Sequence, residues 1–221
     1  EAAEYALDHL IAAQFPNGGF PQGWNEPAKQ YPVLKASYPP EWPRIWPHDE
    51  YFKYYTLNDG LGGTVSDTLL TAYEVYKQKR YMDALERLGD FLIRAQMPDP
   101  QPAWCQQYNF EMQPTWARKF EPPAICGFES EDAIKTLMKI FRATGDRKYL
   151  EPIPRALAYL RTCVLPDGQM ARYYELKTNR PLYMTRKPGV SGNSNSPGYY
   201  DFSYSDKNLP SHYGWKQTPR L

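Results

Sequence analysis

What this 221-residue sequence has little of narrows it before any motif is read. It has three cysteines, Cys105, Cys126 and Cys163. They are too few and too scattered for a disulfide framework or a zinc knuckle, and read as buried thiols with at most one bridge. Net charge is nearly absent, since 26 Lys and Arg against 25 Asp and Glu leave +1. A near-neutral chain has no broad electrostatic grip on nucleic acid or on an anionic membrane surface, so a polyanionic partner must be held by a few local arginines. No run of about 18 apolar residues exists, so no segment reads as a membrane span. A charged-then-apolar leader is also missing. Glu1 opens directly into helical pattern, which suggests that a leader and further residues have been removed.

Aromatics and prolines are abundant instead, with 19 Tyr, 6 Trp and 22 Pro. So many prolines argue for long, stiff, ordered loops. Aromatic rings on a charge-neutral domain fit a cleft that stacks on flat ligand faces such as sugar rings; for any single ring, core packing is the plainer expectation. With 42% apolar content the chain is one ordinary domain over residues 1–221.

The regular segments have helical period. Residues 1–14 place Ala3, Leu7, Leu10 and Ile11 on one stripe, and 64–78 do so with Val65, Leu69, Tyr73 and Tyr76. Residues 82–96 (Leu85, Leu88, Leu92), 130–143 (Ile134, Leu137, Phe141) and 147–164 follow, the last restricted by Pro152 and Pro154 to its C-terminal side. Gly145 reads as a helix stop and Asp146 as an N-cap. Strand alternation is confined to short pieces such as Met170–Leu176. Three helix ends share a pattern, running into Phe15–Gln22, Met97–Gln101 and Leu165–Gln169, each a Pro-Asn/Asp turn with a glutamine. Repeated helical hairpins whose loops leave on one side build an α/α toroid, so the expected class is mainly α, an (α/α) toroid with a cleft on its loop face. Residues 188–221 are expected as an irregular, loop-rich tail; their tyrosines favour loops laid over a site rather than a free linker.

Four patches carry candidate chemistry. Asn17–Gln22 holds two glycines that permit close backbone approach to a ligand, or make a plain turn. In Thr56–Asp59, Asp59 could cap the next helix or offer a hard oxygen to Ca²⁺. Pro102–Gln107 and Pro114–Pro123 bring Trp104, Trp116, Arg118, Lys119 and Glu121 into a proline-framed loop. A solvated Arg118–Glu121 salt bridge is the bland reading; recognition of a sugar carboxylate by a pinned guanidinium is the functional one. Ala171–Pro181 with Thr185-Arg186-Lys187 concentrates Arg172, Arg180 and Arg186.

These patches, in this order, resemble the catalytic modules of the family 10 polysaccharide lyases, the pectate lyases. The matching stretches are Asn17–Gln22, Thr56–Asp59, Trp104–Gln107, Ala117–Pro122, Ala171–Tyr174, Arg180-Pro181 and Tyr213–Trp215. The resemblance implies β-elimination on homogalacturonan or a related polyuronate, assisted by Ca²⁺, with Arg118 as the base. It further implies Asp59 as a calcium ligand, and Arg172, Arg180 and Arg186 as cations that hold uronates. Trp104, Trp116, Asn17 and Gln22 join the expected substrate-binding set, and a monomer in a secreted or periplasmic setting goes with that substrate. Two departures stand out. An Asp-Asn pair on a preceding helical hairpin has no counterpart here, and Gly189–His212 lacks the family's basic ending. Two other classes stay open: a glycoside hydrolase using Asp59 with Glu129 or Glu131, and a non-catalytic domain that binds acidic polysaccharide.

Overall fold

Helices form where the apolar stripes lie. The structure, a computed structural model, describes residues 1–24, 28–186 and 200–220. Its helices are α1 (Ala2–Ala12), α2 (Leu61–Tyr76), α3 (Lys79–Ala95), α4 (Gly127–Thr144) and α5 (Ile153–Thr162). In α3 the buried set Tyr81, Ala84, Leu85, Leu88, Phe91, Leu92 and Ala95 repeats at three and four residues, while Lys79, Asp83 and Glu86 face outward. Each fully buried Leu or Phe there contributes about 1.5–3 kcal/mol. The expected stop and cap are both present. Gly145 closes α4 in the left-handed region at φ 74°, and the Asp146 side chain accepts from the Lys148 N–H at 3.0 Å at the start of a 3₁₀ turn over Arg147–Leu150. That turn accounts for the first part of the expected 147–164 helix, whose regular portion begins beside Pro152 as anticipated. The outermost helix is α1, where no residue is buried and Leu7, Leu10 and Ile11 pack partly against the core.

Helices α2, α3 and α4 pack on one another, and α4 carries α5 and the 3₁₀ turn on its far end. Around this helical body lie antiparallel pairs of short strands: β1 (Tyr55–Thr56) with β2 (Gln107–Tyr108), and β4 (Met170–Ala171) with β8 (Lys216–Gln217). A four-stranded sheet runs in the order β3 (Ile125–Cys126), β5 (Tyr173–Tyr174), β6 (Pro181–Arg186), β7 (Tyr200–Ser203). The expected local pairing around Met170–Leu176 is present between β5 and β6, whereas β4 pairs with the distant β8. The described part of the expected loop-rich tail is mostly without regular structure, but it contains two short strands: β7 pairs with all of Tyr183–Arg186, and β8 is held by β4. Strand pairs of two to four residues leave little periodic signal, which is why the tail read as loop. Residues 187–199 of that tail lie outside the described residues. All three cysteines are free, buried thiols.

Between α1 and β1, residues 28–50 have no regular structure, yet they are tied down as a strap laid along the loop at 114–123. The Trp42 indole donates to the Pro123 carbonyl at 2.7 Å and the Trp46 indole to the Ala117 carbonyl at 3.0 Å. In return the Trp116 indole donates to the Pro43 carbonyl at 2.7 Å.

Candidate active site

The loop that carries Arg118 is fixed from three sides. The strap bonds the carbonyls of residues 117 and 123. Prolines at 114, 122 and 123 limit the backbone, and the chain turns back on itself where the Glu121 N–H donates to the Arg118 carbonyl at 2.8 Å. Glu121 then takes hold of the arginine. Its carboxylate accepts from Arg118 Nε at 2.7 Å, from Nη2 at 2.5 Å and from the Arg118 backbone N–H at 3.0 Å. The Glu121 side chain is 0% exposed, whereas Arg118 retains 37%. The solvated salt bridge is thus replaced by a buried carboxylate gripping a half-exposed guanidinium in a two-point fork.

Glu121 is itself anchored. Tyr213 donates to Oε1 at 2.7 Å, Asn58 Nδ2 approaches the same oxygen at 3.5 Å, and the Tyr213 hydroxyl lies 2.8 Å from that of Tyr173. Tyr173 donates on to Gln106 at 2.5 Å. Burial alone would raise the Glu121 carboxyl, but its bonds to Arg118 and Tyr213 outweigh that and hold it below the usual carboxylate range. The same pair, aided by Asp59, pushes Arg118 above its already high value.

Asp59 faces this fork from the segment before α2. Its carboxylate lies 3.7 Å from Arg118 Nη2 and 3.4 Å from the Gln22 amide, and its side chain is 54% exposed. The helix-capping role weighed for Asp59 is absent: Gly60 occupies the N-cap of α2 and no side chain caps it. Asp59 sits at φ 57° and Gly60 at φ 69°, a left-handed pair that turns the carboxylate outward.

Beside Asp59 opens a cleft of about 330 Å³, lined by Gly60, Phe128, Glu129, Glu131, Asp132, Lys135, Arg172, Gln217 and Arg220. The first turns of α4 supply its three acids. Arg172 lies between the rings of Phe128 and Tyr213, 4.4 Å from each centroid, and reaches Glu129 at 3.3 Å. Glu129 is fully enclosed and also accepts from the Cys126 thiol; burial, tempered by Arg172, pushes its carboxyl upward.

The other expected residues divide. Gln22 stands at the site. Arg186 ends β6 opposite Tyr200, near enough to Lys119 and His212 that burial, Arg186 and Lys119 together push the His212 imidazole down. Arg180 lies elsewhere, its guanidinium 3.3 Å from the Tyr204 ring centroid on an exposed face that does not line the cleft. Three expectations need correction. Trp104 is 0% exposed and donates to the Leu92 carbonyl at 2.8 Å. Trp116 is buried on the strap, and neither ring has a face to offer a sugar. Asn17 is buried too: its Oδ1 accepts from the Gly19 N–H at 3.0 Å and its carbonyl from Arg94 at 2.9 Å, so it shapes the turn. Tyr173, Gln106 and Tyr213 lie in the family motifs, where sequence reading assigned them no role, and Lys135 lies outside them; the value of Tyr213 appears only once Glu121 is seen to be buried.

Calcium needs six to eight oxygen ligands. Among the described residues no group of three or more His, Cys, Asp or Glu comes together around an ion. Asp59, with Arg118 Nη2 at 3.7 Å, does not make such a site alone, and an ion there would need its remaining oxygens from a bound anionic ligand and water.

The fold is helix-rich, with an arginine–carboxylate fork beside a cleft. The pectic acid lyase family model matches residues 1–144, and the chain belongs to that family. Among solved structures it is similar to a mutant of the family 10 polysaccharide lyase from Cellvibrio cellulosa in complex with trigalacturonic acid. The TM-score is 0.67 at 17% identity, over 97% of this chain and 68% of that one. A second structure of the Cellvibrio cellulosa enzyme matches with a TM-score of 0.58 at 18% identity, over 80% of this chain and 58% of that one. No curated protein sequence matches the chain.

Proposed function

We propose that this chain is the catalytic module of a pectate lyase, an (α/α) toroid that cleaves homogalacturonan or a related polyuronate by β-elimination. The observation that carries the reading is Arg118, held by a buried carboxylate at the edge of a cleft in a pectic acid lyase chain. In the proposed step a nitrogen of Arg118 takes the C5 proton of a bound uronate. The C5–H electron pair forms the C4–C5 double bond, the C4–O4 bond breaks, and O4 departs with its electron pair to be protonated by water. The difficulty is that a proton beside a carboxylate is barely acidic, so negative charge at C5 must be offset by cations around the sugar. Arg172, Lys135 and Arg220 line the cleft where that carboxylate and its neighbours would lie. A calcium ion shared with Asp59 would draw further charge from the uronate when bound.

Ground-state pairing opposes the base role, because Arg118 must give up a proton before it can accept one and Glu121 favours the cation. The reading therefore requires alkaline conditions, or loss of charge at Asp59 on binding, for turnover. A secreted or periplasmic setting follows from the substrate class. The hydrolase alternative is set aside by the family, and Glu129, its candidate acid, is enclosed against Cys126 and Arg172. The test is the ultraviolet absorbance of the unsaturated product on polygalacturonate. Arg118→Ala should lower kcat by about 10²-fold or more with fold unchanged. Reducing ends without the chromophore would overturn the reading, as would tight oligouronate binding with no turnover.

A further inference from the structure

Glu121 makes no use of solvent and does not line the cleft, yet more bonds converge on it than on any group around Arg118. A buried charge is costly unless paired, and here the partner is the one side chain proposed to do chemistry. We propose that Glu121 is the positioning residue of this site, fixing the orientation of Arg118 so that Nη1 is the nitrogen left to meet a substrate. This rests on the lyase reading and goes beyond it, because it assigns the orientation of the base to a buried residue that does not line the cleft.

The geometry carries this orientation. The carboxylate takes up Nε and Nη2, leaving Nη1 as the nitrogen outside the fork, so the ring-like pair can rotate only by breaking two bonds at once. It cannot follow Arg118 outward, because Tyr213, Asn58 and, behind Tyr213, Tyr173 and Gln106 hold it from the opposite side. The charged and titratable groups facing Arg118 come from three directions. Glu121 and Lys119 lie on its own loop, Asp59 on the segment before α2, and Tyr213 on the C-terminal segment, with Arg172 behind that ring. Asp59 is exposed and can be neutralised by whatever binds there. Glu121 is buried and cannot, so it imposes a permanent negative charge on the arginine.

The experiment compares wild type, Glu121→Gln, Glu121→Asp and Tyr213→Phe on polygalacturonate at one pH, together with the Arg118 Nε–H resonance by nitrogen NMR near neutrality. Glu121→Gln should lower kcat by about tenfold or more through loss of orientation, with KM changed less. Glu121→Asp, which keeps the carboxylate, should recover part of that loss. The Arg118 Nε–H line, protected by its bond to Glu121 in wild type, should be lost to exchange in Glu121→Gln. A folded Glu121→Gln with kcat unchanged and the Nε–H line still protected overturns the proposal while leaving the lyase reading intact. If wild type yields no unsaturated product, the lyase reading fails; the Nε–H line then still decides the inference, and equal protection in wild type and Glu121→Gln refutes it. Should Glu121→Gln not fold, Tyr213→Phe decides: it strips one anchor from Glu121, and a kcat and Nε–H protection both equal to wild type refute the proposal.

Discussion

At the scale of single residues, the site depends on two arginines held in different ways. Arg118 is held by charge in a fork, Arg172 by charge and by two aromatic faces. A lysine can replace neither, because it has no planar fork and stacks poorly. Arg172→Lys should therefore raise KM for oligogalacturonate by roughly tenfold, about 1.4 kcal/mol, with kcat less affected, as read from initial rates. Glu121 also ties stability to pH. Its folded-state value lies below its unfolded one, so its contribution is present above the ordinary carboxylate range, near 4.3, and is lost as pH falls through the folded value. The Tm difference between wild type and Glu121→Gln should accordingly be large near neutrality and shrink toward about pH 3. A difference that grows on acidification would refute the assigned direction.

At the scale of elements, the helices and the strap do separate jobs. The face of α3 that receives the 3₁₀ turn carries Gly89, where an added Cβ would lie 2.4 Å from Tyr149 Cε1. Gly89→Ala gains about 1 kcal/mol of helix propensity, but must displace a buried ring, which costs about 1–3 kcal/mol. A fall in Tm of a few degrees is expected in a thermal melt. The strap has no regular structure and no periodic signal in the sequence. Its function depends on Trp46, whose indole holds the carbonyl next to Arg118. Trp46→Phe should cost about 1 kcal/mol of stability and lower kcat several-fold, with KM nearly unchanged. Helices were readable because a 3.6-residue stripe runs over several turns. The hairpin of β6 and β7 was not, because its pairing depends on which distant segment arrives beside it.

For the whole molecule, the near-zero net charge is mirrored in the cleft, where Lys135, Arg172 and Arg220 are interleaved with Asp59, Glu129, Glu131 and Asp132. Such a cleft would hold an anionic polymer by short-range contacts to individual cations, so kcat/KM on polygalacturonate should fall as salt rises from about 0.02 to about 0.5 M. A salt-independent rate would place binding outside this cleft.

By itself the sequence determined the helical class, the stop at Gly145 and cap at Asp146, and the motif order that marks the family. These depend on neighbours within a few residues, or on residue types that survive in place. Only the tertiary structure decided that Trp104, Trp116 and Asn17 are interior while Asp59 is exposed, and that Glu121 is buried beneath Arg118. Burial is set by segments far apart in the chain, here residues 58, 121, 173 and 213, and no local pattern records which of them will meet.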